Sequence, residues 1–197
     1  PGRHRTRGAA IVQSEVRRLH GKVLSSLIDA GAVPFSIPPS THARNRSGRL
    51  ETLDAGPFER ALDAGGWPVS FGDVVPDAEW GFSILSADAI ATELARRLRP
   101  ARVVFVSDVP GILEPGTAGR RKVVEAVTPE IVAQLGRTSA GPDVTGGIRG
   151  KAEAMLAIAA DGADAVLISG LTDGALLRAV RGEAVYGSWS RASPRDR

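Results

Sequence analysis

The sequence contains no cysteine, which excludes a disulfide framework and a thiolate site. Histidine is nearly as scarce. His4, His20 and His42 lie far from one another without metal-ligand spacing, which argues against a dedicated metal centre, and no metal-ligating protein residue is assigned. Lysine is rare among the 25 basic residues: only Lys22, Lys122 and Lys151 occur, and the rest are arginine. The net charge is therefore only +3 although the pI is about 9.9. Nucleic-acid binding prefers a clustered basic stripe with interleaved aromatics, and here the basic residues are scattered apart from PGRHRTR at the start. No apolar run approaches membrane-spanning length, and no basic-then-apolar signal segment opens the chain. The expectation is a cytoplasmic setting with neither nucleic acid nor membrane as partner.

What remains is ordinary globular material: 43% hydrophobic and 24% charged residues over 197 positions, enough for one sizeable core. A single domain over residues 1–197 is expected. GAAIVQSEVRRLHGKVLSSLIDAG reads as a helix, with Val12, Val16, Leu19 and Val23 expected to face the core or, alternatively, to line a ligand pocket. AVPFSIPPS is extended, because its prolines forbid a helix. Residues 41–55 are polar and turn-rich, which predicts a hairpin or a flap. WPVSFGDVVP reads as a strand running into a loop that holds Gly72 and Asp73. Ser86 is placed to cap a helix whose buried stripe is Ile90, Leu94 and Leu98. Val103 to Val106 form an apolar run that suits a strand covered on both faces, and ADAVLISG repeats that pattern. Alternating helices and strands with short connections predict an α/β fold with a largely parallel central sheet.

In such a sheet, ligands sit at the C-terminal ends of strands beside helix N-termini. Polar clusters fall at places of that kind: Gly72-Asp73, Ser86-Ala87-Asp88, Ser107-Asp108-Val109-Pro110-Gly111, and DVTGGIRGK at residues 143–151. The last combines glycines that expose backbone N–H groups, a helix start with its partial positive charge, and Lys151 one turn beyond. From these residues alone, two descriptions stand: a phosphate-binding helix mouth, or a glycine turn with a solvated lysine. The segment is not the GxxxxGK[ST] loop.

Together, GDVV (72–75), ILSAD (84–88), VFVSDVPGI (104–112), DVTGGIRGK (143–151) and LISG (167–170) resemble the amino acid kinase superfamily. Their order and spacing look most like its isopentenyl phosphate kinases, which use ATP to convert isopentenyl phosphate to isopentenyl diphosphate. The resemblance implies a three-layer αβα sandwich, a Mg²⁺-ATP donor, isopentenyl phosphate as the small phosphorylated partner, and a homodimer. It places Gly146, Gly147 and Lys151 near the ATP phosphates, and Asp108 and Gly111 in the turn on the nucleotide side. Asp88 and Lys151 become the catalytic pair, with Asp88 organising the cationic groups around the transferring phosphoryl. Gly72, Asp73, Ser86 and Ala87 become the acceptor side. Beside these roles stand plainer ones: a first-turn residue favourable with the helix dipole for Asp88, a turn former for Asp108, and a cap on the glycine turn for Asp143.

The chain departs from the family in three ways. The family's Lys-x-Gly-Gly-Ser strand end and its Gly-Gly-Gly-Ser-Phe-Gly-His loop are not found, and the chain opens at Pro1. It is expected to be N-terminally truncated and, by itself, inactive; His4 is not the histidine of that loop. Ala87 stands where the family usually has glycine, and Gly-Ser-Trp-Ser (187–190) where it usually has Gly-Thr. Two alternatives share the fold: a fosfomycin kinase-like enzyme, and a member that binds nucleotide without transferring phosphate.

Overall fold

The computed structural model describes residues 3–115, 121–138 and 147–192. The chain forms two compact units, residues 1–93 and residues 94–197, with the division falling inside one helix. No helix among the described residues is long and apolar enough to cross a membrane.

The first unit runs α1 (Arg3–Asp29), β1 (Pro34–Ser36), a 3₁₀ turn (Pro39–Thr41), β2 (Ala43–Arg46), β3 (Arg49–Leu53), α2 (Gly56–Asp63), β4 (Trp67–Val69), β5 (Asp73–Asp77) and β6 (Gly81–Leu85). Strands β1 and β4 pair in parallel, and a second sheet has the order β3-β2-β5-β6. The hairpin expected between residues 41 and 55 is β2–β3, closed by Ser47 and Gly48. Both have positive φ, 48° and 77°, as a two-residue mirror-image turn requires to match the strand twist. WPVSFGDVVP runs from β4 into a loop that holds Gly72, as expected, but Asp73 already begins a second strand: β4 pairs with β1 whereas β5 pairs with β2 and β6, so the chain changes sheet between them.

Helix α1 does not bury its expected stripe: Val12 is 39% exposed, Leu19 64% and Val23 41%. The face that docks on the sheets is more polar. Gln13 Nε2 donates to the Val74 carbonyl at 2.8 Å. His20 is buried, with Nε2 2.8 Å from Ser36 Oγ and its ring centroid 4.4 Å from that of Phe71. Strands of this unit present carbonyls and hydroxyls to the helix, and side chains that can bond them occupy that face.

The second unit carries the end of α3 (Ala87–Leu98), then β7 (Arg102–Ser107), β8 (Leu113–Pro115), β9 (Arg121–Val123), α4 (Pro129–Thr138), α5 (Gly147–Ala160), β10 (Asp164–Ser169), α6 (Ala175–Arg181) and β11 (Ser188–Ser190). Strands β7 and β10 pair in parallel from Arg102↔Asp164 to Ser107↔Ser169, with β11 antiparallel on the far side of β10. Val166 and Ile168 of β10 pack on Ala175 and Ala179 of α6. Helix α5, which buries Met155 and Ile158, packs on β10 as well. Successive strand residues face opposite ways, so helices cover both faces and this unit has three layers, αβα. Ala165 to Ile168 are wholly inaccessible, whereas Val106 in β7 is 48% exposed. The difference follows from position: among the described residues, β10 is the middle strand of this sheet and β7 has a partner on one side only. Each fully buried Leu or Ile here is worth roughly 1.5–3 kcal/mol.

Candidate active site

In the first unit the acceptor-side residues named from the sequence do meet. Asp73 starts β5 and pairs with Leu85, the last residue of β6, so the segment before β5 lies beside the segment after β6. Gly72 lies in the loop past the C-terminal end of β4, as the sequence predicts, and immediately before β5, whose antiparallel pairing with β6 brings it to Ser86 and Ala87. A Cβ on Gly72 would stand 3.3 Å from the Leu85 carbonyl oxygen and 3.4 Å from the Ala87 nitrogen. Ser86 caps α3 as expected, its Oγ accepting the Ala89 N–H at 3.1 Å, and Asp88 lies in the first turn of that helix. Half-buried Asp88 is thus aligned with the positive end of the helix.

The Asp73 side chain is wholly buried. Its Oδ1 accepts its neighbour's N–H, from Val74, at 2.8 Å. Its Oδ2 has no hydrogen-bond partner and lies 3.6 Å from Nη2 of Arg17. A carboxylate so enclosed does not reach a ligand in solvent. Its direct effect is to hold Arg17, which also donates to Ser40 Oγ at 3.0 Å and keeps 42% of its side chain exposed. Arg17 is absent from the residues picked by sequence. Arginines are common in this chain, and only the fold distinguishes the one anchored by a buried carboxylate beside Gly72.

One turn back along α1 the surface becomes apolar. Val12, Val74, Phe82 and Ile84 line a cavity of about 220 Å³ with Trp80 and Ser83. The alternative assigned to Val12 in the sequence, a pocket wall, is where the structure places it. Gln13 and Val74 connect the cavity to the Asp73–Arg17 pair through adjacent positions of α1 and β5.

In the second unit the parallel pair ends at Ser107 and Ser169, and the Gly170 N–H donates to the Ser107 carbonyl at 2.8 Å. Asp108 follows as an exposed residue whose Oδ1 accepts from Ser107 Oγ at 3.2 Å. Helix α5 opens at Gly147, with φ of 47°, and its first turn holds no acidic residue. Lys151 comes one turn later, its Nζ 5.0 Å from the centroid of Phe105, two residues before the end of β7. A glycine start without carboxylates, followed by a lysine at the strand ends, fits a polyphosphate. Gly111 has a different role in the packing. It is buried, and a Cβ on it would lie 2.6 Å from Ser188 Oγ and 2.8 Å from Val123 Cγ1, so it lets the turn pass close to β9 and β11. Asp143 and Gly146 lie outside the described residues. Among the described residues, no group of three or more His, Asp or Glu side chains gathers to hold a metal ion. A magnesium ion, which takes several ligands from substrate phosphates and water, needs no such cage, and Asp108 is the exposed carboxylate beside the strand ends.

The sequence profile of the amino acid kinase family matches residues 4–169. The isopentenyl phosphate kinase of Methanothermobacter thermautotrophicus is 31% identical over 94% of this chain and 71% of its own length. That of Thermoplasma acidophilum is 34% identical over 76% of this chain and 58% of its own length, so the chain spans well under two thirds of this relative. A solved isopentenyl phosphate kinase structure superposes with a TM-score of 0.80 at 27% identity, covering 95% of this chain and 71% of that one.

Proposed function

Because the chain belongs to the amino acid kinase family and carries its fold, we propose that it is an ATP-dependent phosphotransferase acting on isopentenyl phosphate. The observation that carries the choice of acceptor is the apolar cavity of about 220 Å³ in the first unit, lined by Val12 of α1 and Val74 of β5, the helix and strand that also carry the Arg17–Asp73 pair. A volume below the usual range for drug-sized ligands suits a short branched hydrocarbon. An exposed arginine on the neighbouring turn of α1 suits the phosphate joined to it. Similarity to isopentenyl phosphate kinases supports the same acceptor independently.

The acceptor is already an anion, so no strong general base is needed. One of its phosphate oxygens forms a bond to the γ-phosphorus of ATP, the bond from that phosphorus to the β,γ-bridging oxygen breaks, and ADP leaves. Catalysis is then positioning and neutralisation of charge on the transferring group. On the donor side, the N–H groups at the start of α5 and the Lys151 ammonium meet the phosphates. Asp88 orients cationic groups around the transferring phosphoryl, and Arg17 with the Gly72 backbone orients the acceptor. Magnesium, when bound on the ATP phosphates beside Asp108, would supply further neutralisation of the β- and γ-oxygens. The same proposal includes assembly as a homodimer.

The test is release of ADP from ATP by the full-length protein with isopentenyl phosphate, compared with small polar acceptors such as acetylglutamate. Turnover with isopentenyl phosphate at least tenfold above the polar acceptors is expected, on the order of one apolar contact's discrimination. Equal or greater turnover of a polar acceptor refutes the assignment.

A further inference from the structure

A single buried carboxylate fastens the wall of the apolar cavity, and we infer that this fastening, acting through Trp80, sets the length of tail the cavity admits. The inference rests on reading the cavity as the acceptor's tail site.

Asp77 ends β5 and is 5% exposed. Its Oδ1 accepts the N–H groups of Ser47 at 3.1 Å, Glu79 at 2.9 Å and Trp80 at 2.9 Å. Its Oδ2 accepts the Gly48 N–H at 2.8 Å and the Ser83 hydroxyl at 2.7 Å. Ser83 Oγ in turn accepts from Nδ2 of wholly buried Asn45 at 2.8 Å. One side chain therefore ties the turn of the β2–β3 hairpin to the turn of the β5–β6 hairpin. No alternative side chain offers two acceptor oxygens with room for so many donors at this reach.

The Trp80 ring packs closely over Gly48. A Cβ on Gly48 would lie 2.7 Å from Cζ3 and 3.2 Å from Cη2 of Trp80, and Gly48 has φ of 77°. Glycine at this position both closes the hairpin and leaves the indole its place. Trp80 is thus tied through its backbone N–H to Asp77, packs its ring over Gly48, and lines the cavity with Phe82 and Ile84. Trp80 touches the tail and limits it; Asp77 is a positioning residue that acts through Trp80 and Ser83.

The experiment uses the full-length protein with ATP and a series of prenyl monophosphates of five, ten and fifteen carbons, with tail binding followed in parallel by tryptophan emission. Trp80→Ala is expected to raise kcat/KM for the ten-carbon acceptor relative to the five-carbon one by about tenfold or more, the scale of a reshaped apolar pocket. Asp77→Asn places an NH₂ where an oxygen faces N–H donors, and should raise KM for the five-carbon acceptor several-fold while kcat is retained. An unchanged chain-length ratio in Trp80→Ala, in a protein that turns over the five-carbon acceptor, overturns the inference. If the parent protein turns over no prenyl phosphate, the acceptor assignment fails by itself. The inference is then decided by emission: alkyl phosphates should shift the parent's spectrum and leave Trp80→Phe unaffected, and identical responses overturn it.

Discussion

The two units solve the problem of order in opposite ways. The second relies on an apolar strand: Ala165, Val166, Leu167 and Ile168 are wholly buried between α5 and α6, and the ligand-facing groups simply follow the strand ends. The first unit relies on buried polar groups instead. His20, Asn45, Asp73 and Asp77 are all inside, and each bonds or pairs with a different structural element, Asn45 with β6 through Ser83 and the Ile84 carbonyl. Non-directional packing gives a stiff platform for a phosphate chain that every member of a kinase family must hold. Directional hydrogen bonds fix the wall of the cavity that we propose takes the acceptor's tail.

The sharpest way to test that contrast is to remove one group from each design. Lys151→Ala should lower kcat/KM by on the order of 100-fold or more, the usual cost of losing a donor aimed at transition-state charge. Its unfolding midpoint should stay close to that of the parent, and equal rates in the two proteins refute the role given to Lys151. Leu167→Ala in β10 should destabilise the chain by roughly 2–5 kcal/mol, measured by urea unfolding, because it empties a site with no solvent access. A cost below about 1 kcal/mol would show that the platform is not packed as described.

Arg17→Ala should raise KM for the acceptor roughly tenfold, one charged hydrogen bond's worth, with little change in KM for ATP. A rise in both constants would place Arg17 outside the acceptor side. The smallest effect is expected at acid pH. Burial alone would raise the Asp77 pKa, but hydrogen bonds from the Gly48 N–H, the Ser83 hydroxyl and the Trp80 and Glu79 N–H groups outweigh it and hold the carboxyl well below the usual carboxylate range. A folded pKa below the unfolded one means that the unfolded chain binds the proton first as pH falls. The contribution of Asp77 to stability is therefore complete above about pH 4 and is lost as pH drops below that value toward the folded pKa. Asp77→Asn should remove that part of the acid dependence, and an unchanged acid limb in urea titrations from about pH 6 to pH 2 would contradict it.

Much of the second unit was legible in the sequence because its determinants are local. The apolar run 165–168 and the glycine start of α5 with Lys151 one turn on each involve neighbours within one or two elements. Ser86 as a helix cap, in the first unit, is local in the same sense. The first unit was read less well. Periodicity picked Val12, Leu19 and Val23 as the buried face of α1, because it registers apolar spacing and is blind to a docking surface made of carbonyls and hydroxyls. Arg17 escaped notice for a related reason. Its partner, Asp73, is 56 positions away, and nothing local marks one arginine among many. Gly72 does follow a strand as the sequence suggests, but that a second strand begins at Asp73 and pairs antiparallel with β6, bringing Gly72 against Ala87, is a property of two strands together.

The residue types and spacings by themselves determined that this chain forms alternating helices and strands with a glycine-and-lysine helix mouth, because those features are written in short-range periodicity and capping. Tertiary structure alone decided that Asp73 is buried against Arg17, and that Asp77 gathers two hairpin turns whose residues lie up to 30 positions away. It also decided that Gly48 makes room for Trp80. These are pairings between elements, selected by the geometry of the folded backbone and by the cost of leaving a buried polar group unbonded, and no single stretch of sequence contains both halves of any of them.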